Sequence, residues 1–216
     1  MTSRSPTMRV DAHPQSTRLR IAQITRQSTA LVKSILRDLT SATPLSFNPM
    51  NPDSYRIPAH TRIGHVHLKV ADLQRALDFY CGLLGFELMT MYGDSAAFIS
   101  AGGYHHHIGL NTWYSKDAEP APTHAAGLFH TAILYPERRD LAQALQRLLD
   151  AKYPITGASD HGVSEAIYLD DPDRNGVELY WDRPKERWPR KADGSIEMFT
   201  ERLDIPGLLA TLERAS

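Results

Sequence analysis

The 216-residue chain holds a single cysteine, Cys81, so it can form no internal disulfide. That fits a reducing compartment, and the expected location is the cytoplasm. Cys81 falls among apolar residues on an expected helix and reads as packing. No apolar run approaches the roughly 18 residues that a membrane span needs. A dominant charge is missing too. With 24 Lys and Arg against 25 Asp and Glu, the net charge is -1, which gives no whole-chain footprint for nucleic acid or membrane. Acidic residues are absent between Asp11 and Asp38, and residues 1–60 carry eight basic and three acidic side chains, a balance of +5. The remainder carries sixteen and twenty-two, a balance of -6.

Residues 1–17 are polar, rich in Ser, Thr, Pro and Arg, and read as disordered. Residues 18–39 have helical periodicity, with Ile21, Ile24, Leu31, Val32, Ile35 and Leu36 on one side and Arg18, Arg20, Arg26 and Lys33 around them. An amphipathic, basic, acid-free helix is the composition of an organelle-targeting peptide. It equally suits a helix docked on the main domain, or an upstream extension of a chain whose functional start is Met50. Residues 40–60 contain Pro44, Pro49, Pro52 and Pro58 and read as a linker, so 1–60 form an N-terminal extension.

From residue 61 a pattern runs once and then recurs. "RIGHVHLKV" (62–70) alternates, with Val66, Leu68 and Val70 on one face and His65, His67 and Lys69 on the other, as in a half-buried strand. Asp72 caps a helix with Leu73, Ala76, Leu77, Tyr80 and Leu84 on its apolar side, and Gly85 stops it. Strand-like stretches follow at 86–91, 96–100 and 105–113. The second pass has a strand at 128–136, a helix at 140–153 with Leu141, Leu145, Leu148 and Leu149 apolar, and strands at 155–156, 165–169 and 176–181. The predicted fold is α+β: two tandem βαβββ modules (61–115 and 126–183) with their free sheet faces curling around a shared cleft. A tail (184–216) follows and includes a short external helix within 196–215.

The repeat aligns His65 with His130, each at the start of a first strand. In the last strand Val177 and Leu179 are the apolar pair, so Glu178 and Tyr180 point the other way. An inward carboxylate needs a cation or a partner. Two histidines and one glutamate on three strands match a 2-His-1-carboxylate triad, which leaves coordination positions open and suits non-haem Fe(II), with Mn(II) also accepted. His67 shares a face with His65 and is its rival as ligand. The run "GYHHHIGLNTW" (103–113) places His105 and His107 on one face of its strand and His106 on the other. If Ile108 and Leu110 meet the helix, His107 faces the cleft. Trp113, Tyr180 and Trp181 line a substrate pocket or pack in the core.

"GHVHLKVADLQRALDFYCGLLGFEL", "GLFHTAILYP" and "IYLDDPDRNGVELYWDRP" resemble the vicinal oxygen chelate superfamily, and within it the extradiol ring-cleaving, catechol 2,3-dioxygenase-like proteins. The resemblance spans about residues 61–183. It implies a paired-module fold around a divalent metal, with His65, His130 and Glu178 at the positions of the iron ligands. It also implies His107 as acid/base, Tyr168 as the active-site tyrosine and His161 as a second active-site histidine. Two modules are present where many such enzymes carry four.

The reaction so implied is Fe(II)-dependent cleavage of a catechol-type ring by O2, with a small aromatic diol as substrate, no nucleic-acid or membrane partner, and a homo-oligomer left open. Three other classes compete. Glyoxalase-like isomerases use a glutamate in each module, and the first module's equivalent position falls near His107 or Ile108, with no glutamate. An epimerase of the same superfamily is a second alternative. A drug-binding module without catalysis is the third, and it leaves Glu178 unexplained.

Overall fold

The structure is a computed structural model describing residues 55–213. The expectations for residues 1–54, including the amphipathic helix at 18–39 and the start at Met50, lie outside the described residues. The chain divides into two compact units, 1–61 and 62–216, and every element below belongs to the second.

Each repeat builds one sheet. In the first, β1 (Val66–Lys69) leads to α1 (Leu73–Leu77), then β2 (Glu87–Tyr92), β3 (Ala96–Ser100) and β4 (Ile108–Asn111). The second has β5 (Thr131–Leu134), α2 (Arg138–Asp150), β6 (Gly157–Asp160), β7 (Ser164–Asp170) and β8 (Gly176–Asp182). The strand order is β1-β4-β3-β2 in one sheet and β5-β8-β7-β6 in the other, where β9 (Glu201–Arg202) adds to the β6 edge. In both sheets the first strand runs parallel to the last and the other pairs are antiparallel. The repeat read from the sequence is therefore a repeat of topology, and the α+β architecture holds.

Alternation explains why the sheets form. Leu68, Val70, Ile99, Ile108 and Leu110 in the first sheet, and Ile167, Leu169, Val177 and Leu179 in the second, bury on the helix side. There they join Leu73, Ala76, Phe79 and Tyr80 and the α2 residues Leu141, Leu145 and Leu148 in one apolar cluster. Each such side chain contributes roughly 1.5–3 kcal/mol by leaving water. Leu149, expected on the apolar side of α2, is 44% exposed instead.

Asp72 caps α1 by accepting the Arg75 N–H at 3.0 Å. The helix then widens over Asp78–Leu83 into π winding, so the Leu84 N–H reaches back five residues to the Phe79 carbonyl. Gly85 ends it at φ +89°, the left-handed conformation that glycine adopts without strain. At the start of α2, the Asp140 carboxylate accepts the Glu137 N–H at 3.1 Å.

Three polar knots tie the repeats and the tail. The turn "DPDRNG" is anchored on the first repeat: Asp171 accepts from the Tyr80 hydroxyl at 3.1 Å, and Asp173 accepts from the Ala71 N–H at 3.1 Å and Arg75 at 2.7 Å. Burial raises the Asp171 carboxyl above the ordinary carboxylate range, against hydrogen bonds from Asn175, Asp173 and Tyr80 that pull it down. Arg147 on α2 donates to the Leu83 and Gly82 carbonyls at 2.9 and 2.8 Å, capping the end of the widened helix. Buried Glu165 lies between Arg138 at 2.7 Å and Arg183 at 2.9 Å, and Arg183 also grips Asp160 through two bonds of 2.7 and 2.8 Å.

In the tail, Trp188 Nε1 donates to the Arg183 carbonyl at 2.7 Å. The expected short helix is α3 (Ile205–Leu209), capped by Asp204 and packed against α2 through buried Leu208. The expected strand at 105–113 is shorter: β4 spans only Ile108–Asn111, and the strand expected at 155–156 lies at Gly157–Asp160. Tyr104 and the three histidines lie in the loop that enters β4, where Gly102 and Gly103 have φ of +64° and +75°.

Candidate active site

The register fixes which residues of the repeats correspond. Val66 pairs with Ile108 in the first sheet, and Thr131 pairs with Val177 in the second. His65 and His130 each immediately precede these first strands, and the counterpart of Glu178 is Gly109. That corrects the expected position near His107 or Ile108. In the first sheet Gly109 leaves room for the His67 ring, since a Cβ there would come within 2.8 Å of it. In the second, small Ala132 pairs with Glu178 and leaves the carboxylate its space.

Glu178 is brought together with three of the expected site residues. His130 Nε2 lies 2.9 Å from Glu178 Oε2, with side chains 31% and 13% exposed. Tyr168, its direct partner across the β7–β8 pairing, donates its hydroxyl to Oε1 at 3.0 Å. His161 Nε2 lies 2.8 Å from the Tyr168 oxygen. Val177, Leu179, Ile167 and Leu169 are buried on the helix side, so period-two alternation sends Glu178 and Tyr168 to the other face. Gly176 permits the arrangement: a Cβ at this position would overlap the Phe129 carbonyl oxygen and come within 3.1 Å of the His130 Cβ.

Burial pushes the Tyr168 phenol up to about 12, helped by its hydrogen bond to Glu178 and by that group's charge. The phenol therefore keeps its proton near neutrality. Burial likewise raises Asp182 and Tyr180, and the charge of Glu178 adds to both. His130 Nδ1 is buried with no hydrogen-bond partner among the described residues.

The imidazole–carboxylate pair suits a divalent metal. Imidazole nitrogen and carboxylate oxygen are both ligands such ions take, and here they stand 2.9 Å apart. The same spacing serves a charge-assisted hydrogen bond. The third expected donor is not gathered with them. His65 is exposed, its ring 4.4 Å from that of His106. Among the described residues no three His, Cys, Asp or Glu side chains close on one point. The fit is thus of two donors out of three.

His67 is held edge-on against Trp113 and Phe98, with ring centroids 5.3 and 5.8 Å away, and burial followed by the neighbouring His65 lowers its pKa. His107 occupies the position just before β4, while Ile108 and Leu110 are buried on the helix side. Its Nδ1 is 3.0 Å from the Ser100 hydroxyl and 3.3 Å from the Ala101 N–H. A backbone N–H can only donate, so Nδ1 accepts and the ring hydrogen sits on Nε2. His105 and His106 contact one another, Nδ1 to Nδ1, at 2.8 Å. Trp113 is 49% exposed against His67, whereas Trp181 packs on the apolar cluster.

The sequence reading missed Ser100, Gly109 and the Phe199 carbonyl, which accepts from His161 Nδ1 at 2.9 Å. Strand alternation could have found Ser100, two residues beyond Phe98 on the same face. A main-chain carbonyl carries no side-chain signature.

Two βαβββ units of identical strand order, with a histidine before a first strand facing a glutamate on a last strand, define a glyoxalase-type fold. The Glyoxalase/Bleomycin resistance protein/Dioxygenase superfamily model matches residues 62–179, over half the chain, and the protein belongs to that superfamily. It is 42% identical over 149 residues to the catechol-2,3-dioxygenase of Bacillus subtilis (strain 168), covering 69% of this chain and 51% of that protein. It is 31% identical over 128 residues to biphenyl-2,3-diol 1,2-dioxygenase 2 of Rhodococcus globerulus, covering 57% of this chain and 64% of that protein. The chain spans about half the length of the first relative and under two thirds of the second. A solved glyoxalase/dioxygenase from Nostoc punctiforme shares the fold, with a TM-score of 0.51 at 17% identity, covering 61% of this chain and 99% of that one.

Proposed function

We propose that the protein is an Fe(II)-dependent extradiol dioxygenase that opens a catechol-type ring with O2. The observation that carries this is the facing pair His130 Nε2 and Glu178 Oε2, 2.9 Å apart, with Tyr168 bonded to the other carboxylate oxygen. Two relatives named for catechol and biphenyl-diol dioxygenation support the same chemistry. His130 and Glu178 would hold the ion, with His65 as third ligand, and Mn(II) suits the same donor set. His65 is favoured over His67, whose ring is committed to Trp113 and Phe98 above Gly109. When bound, the metal supplies a common binding point for the diol and O2 and passes charge between them.

The chain's own residues supply proton handling and orientation. His107, fixed by Ser100 with its hydrogen on Nε2, serves as acid/base for the diol proton. Tyr168 keeps its proton, which it gives to Glu178 Oε1 here and can turn toward a substrate oxygen once one is bound. His161 orients Tyr168 through the contact of its Nε2 with the phenol oxygen. One specific observation disfavours the glyoxalase-like reading: the counterpart of Glu178 is Gly109, so the first sheet has no matching carboxylate. Iron-loaded protein given a catechol panel under air should produce the yellow ring-opened semialdehyde. Stoichiometric iron with no product from any diol would sink the reading, as would metal-free protein that binds drug-like aromatics tightly.

A further inference from the structure

His161 stands at the turn between β6 and β7, followed by Gly162 at φ +77°. A Cβ at Gly162 would strike the Phe199 ring and come within 3.0 Å of Pro189. The ring of Phe199 is therefore seated directly on the turn that carries His161. From that seat the Phe199 carbonyl reaches His161 Nδ1 at 2.9 Å, and the Phe199 N–H reaches the His161 carbonyl at 3.4 Å. Two residues on, β9 pairs with β6, placing Arg202 opposite Ser159 and Glu201 opposite Asp160. Before it, the Glu197 N–H reaches the Pro189 carbonyl at 2.9 Å, so the tail is pinned on both sides of this contact.

A carbonyl oxygen can only accept a hydrogen bond. At 2.9 Å from a bare ring nitrogen, two lone pairs would face each other, so the proton sits on Nδ1. The Thr200 hydroxyl, 3.3 Å from the same nitrogen, is the more distant partner. We propose that Phe199 is a positioning residue of the active site: its carbonyl fixes the His161 proton on Nδ1 and leaves Nε2 as the nitrogen that works toward Tyr168. This rests on reading His161 and Tyr168 as active-site groups. Phe199 lies beyond residue 179, where the superfamily match ends.

The consequence is a shared hydrogen. The Tyr168 oxygen lies 2.8 Å from His161 Nε2 and 3.0 Å from Glu178 Oε1, yet the phenol has one hydrogen to give. Turned toward Nε2, it releases the carboxylate oxygen. Turned toward Glu178, it leaves a lone pair on Nε2 facing the phenol oxygen, a contact that becomes favourable only when the ring takes a second proton from solvent. With Nδ1 committed to the tail, this exchange is confined to Nε2, Tyr168 and Glu178.

Nitrogen-15 NMR of histidine-labelled full-length protein tests the proposal, with His161→Gln assigning the signals. In the wild type, His161 Nδ1 should show the shift and hydrogen coupling of a protonated ring nitrogen. A bare Nδ1 with the hydrogen on Nε2, or rapid mixing of both tautomers, overturns it. Phe199→Ala and Gly162→Ala, checked for folding by amide exchange on β6, should each lose the Nδ1–H signature, and Tyr168→Phe should keep it. Retention of the signature in a folded Phe199→Ala protein overturns the role of the tail. The readout needs neither metal nor catechol, so its failure is distinguishable from failure of the dioxygenase reading.

Discussion

Glu178 Oε2 lies 2.9 Å from His130 Nε2, while Oε1 accepts from Tyr168 at 3.0 Å. Both carboxylate oxygens are thus oriented by residues from neighbouring strands. His130→Ala and Glu178→Ala should abolish stoichiometric iron binding, read by metal analysis after anaerobic loading. Tyr168→Phe should retain iron with affinity or activity reduced about 10- to 100-fold, the usual cost of losing a group that orients a ligand.

His107 separates chemistry from metal binding. It is held by Ser100 and Ala101, and none of its hydrogen bonds reaches His130 or Glu178. His107→Ala should keep iron and lose turnover by about 10²- to 10⁴-fold, the range of a general acid/base. Normal turnover in that variant would remove His107 from the mechanism.

Asp160 links the site to acid stability. Burial alone would raise its carboxyl, but the two bonds from Arg183 and the Gly162 N–H outweigh burial and hold it below its ordinary value of 3.8. A lowered folded pKa stabilises the fold fully above the unfolded value, and the contribution disappears as pH falls through the folded one. Wild type should therefore exceed Asp160→Asn in stability at neutral pH, and the gap should close below about pH 3.8. Urea unfolding across that range measures it. A gap that stays constant would show that the ion pair does not carry the linkage.

Glu165 is the buried member of the Arg138–Glu165–Arg183 network. Removing Glu165 leaves Arg138 and Arg183 part-exposed, with Arg183 still held by Asp160, so the loss is that of charge-assisted hydrogen bonds, roughly 1.5–3 kcal/mol. Glu165→Ala should lower unfolding free energy by about that amount. A double change with Arg138→Ala should cost less than the two single changes summed.

Gly176 allows β8 to approach His130. Gly176→Ala should destabilise by about 1–3 kcal/mol through overpacking and weaken iron binding along with it, because the added Cβ meets the Phe129 carbonyl and the His130 side chain. Gly109→Ala, aimed at the His67 ring instead, should cost stability and leave iron content unchanged.

Much of this was legible in the sequence because strand alternation is strict. Val177 and Leu179 point to the helix side, so Glu178 has to face the cleft side, and the repeat alignment carries His130 to the matching strand start. Alternation failed on "HHH" because glycines at positive φ hold 102–103 in a turn, and a loop has no faces to alternate. Widening at Asp78–Leu83 was hidden because a stretch of 6 residues is too short for its apolar spacing to tell π from α winding. The Phe199–His161 contact was invisible because its acceptor is main chain, brought there by β9 pairing with β6.

The proposed ring opening requires Fe(II) held on His130 and Glu178. The most direct measurement is anaerobic loading with one equivalent of Fe(II), addition of a catechol panel, and admission of O2 with simultaneous optical and oxygen-electrode recording. Equal consumption of O2 and diol is expected, with a yellow semialdehyde product that is absent from His130→Ala. Iron uptake without oxygen consumption on any diol, or equal activity in His130→Ala, would contradict it.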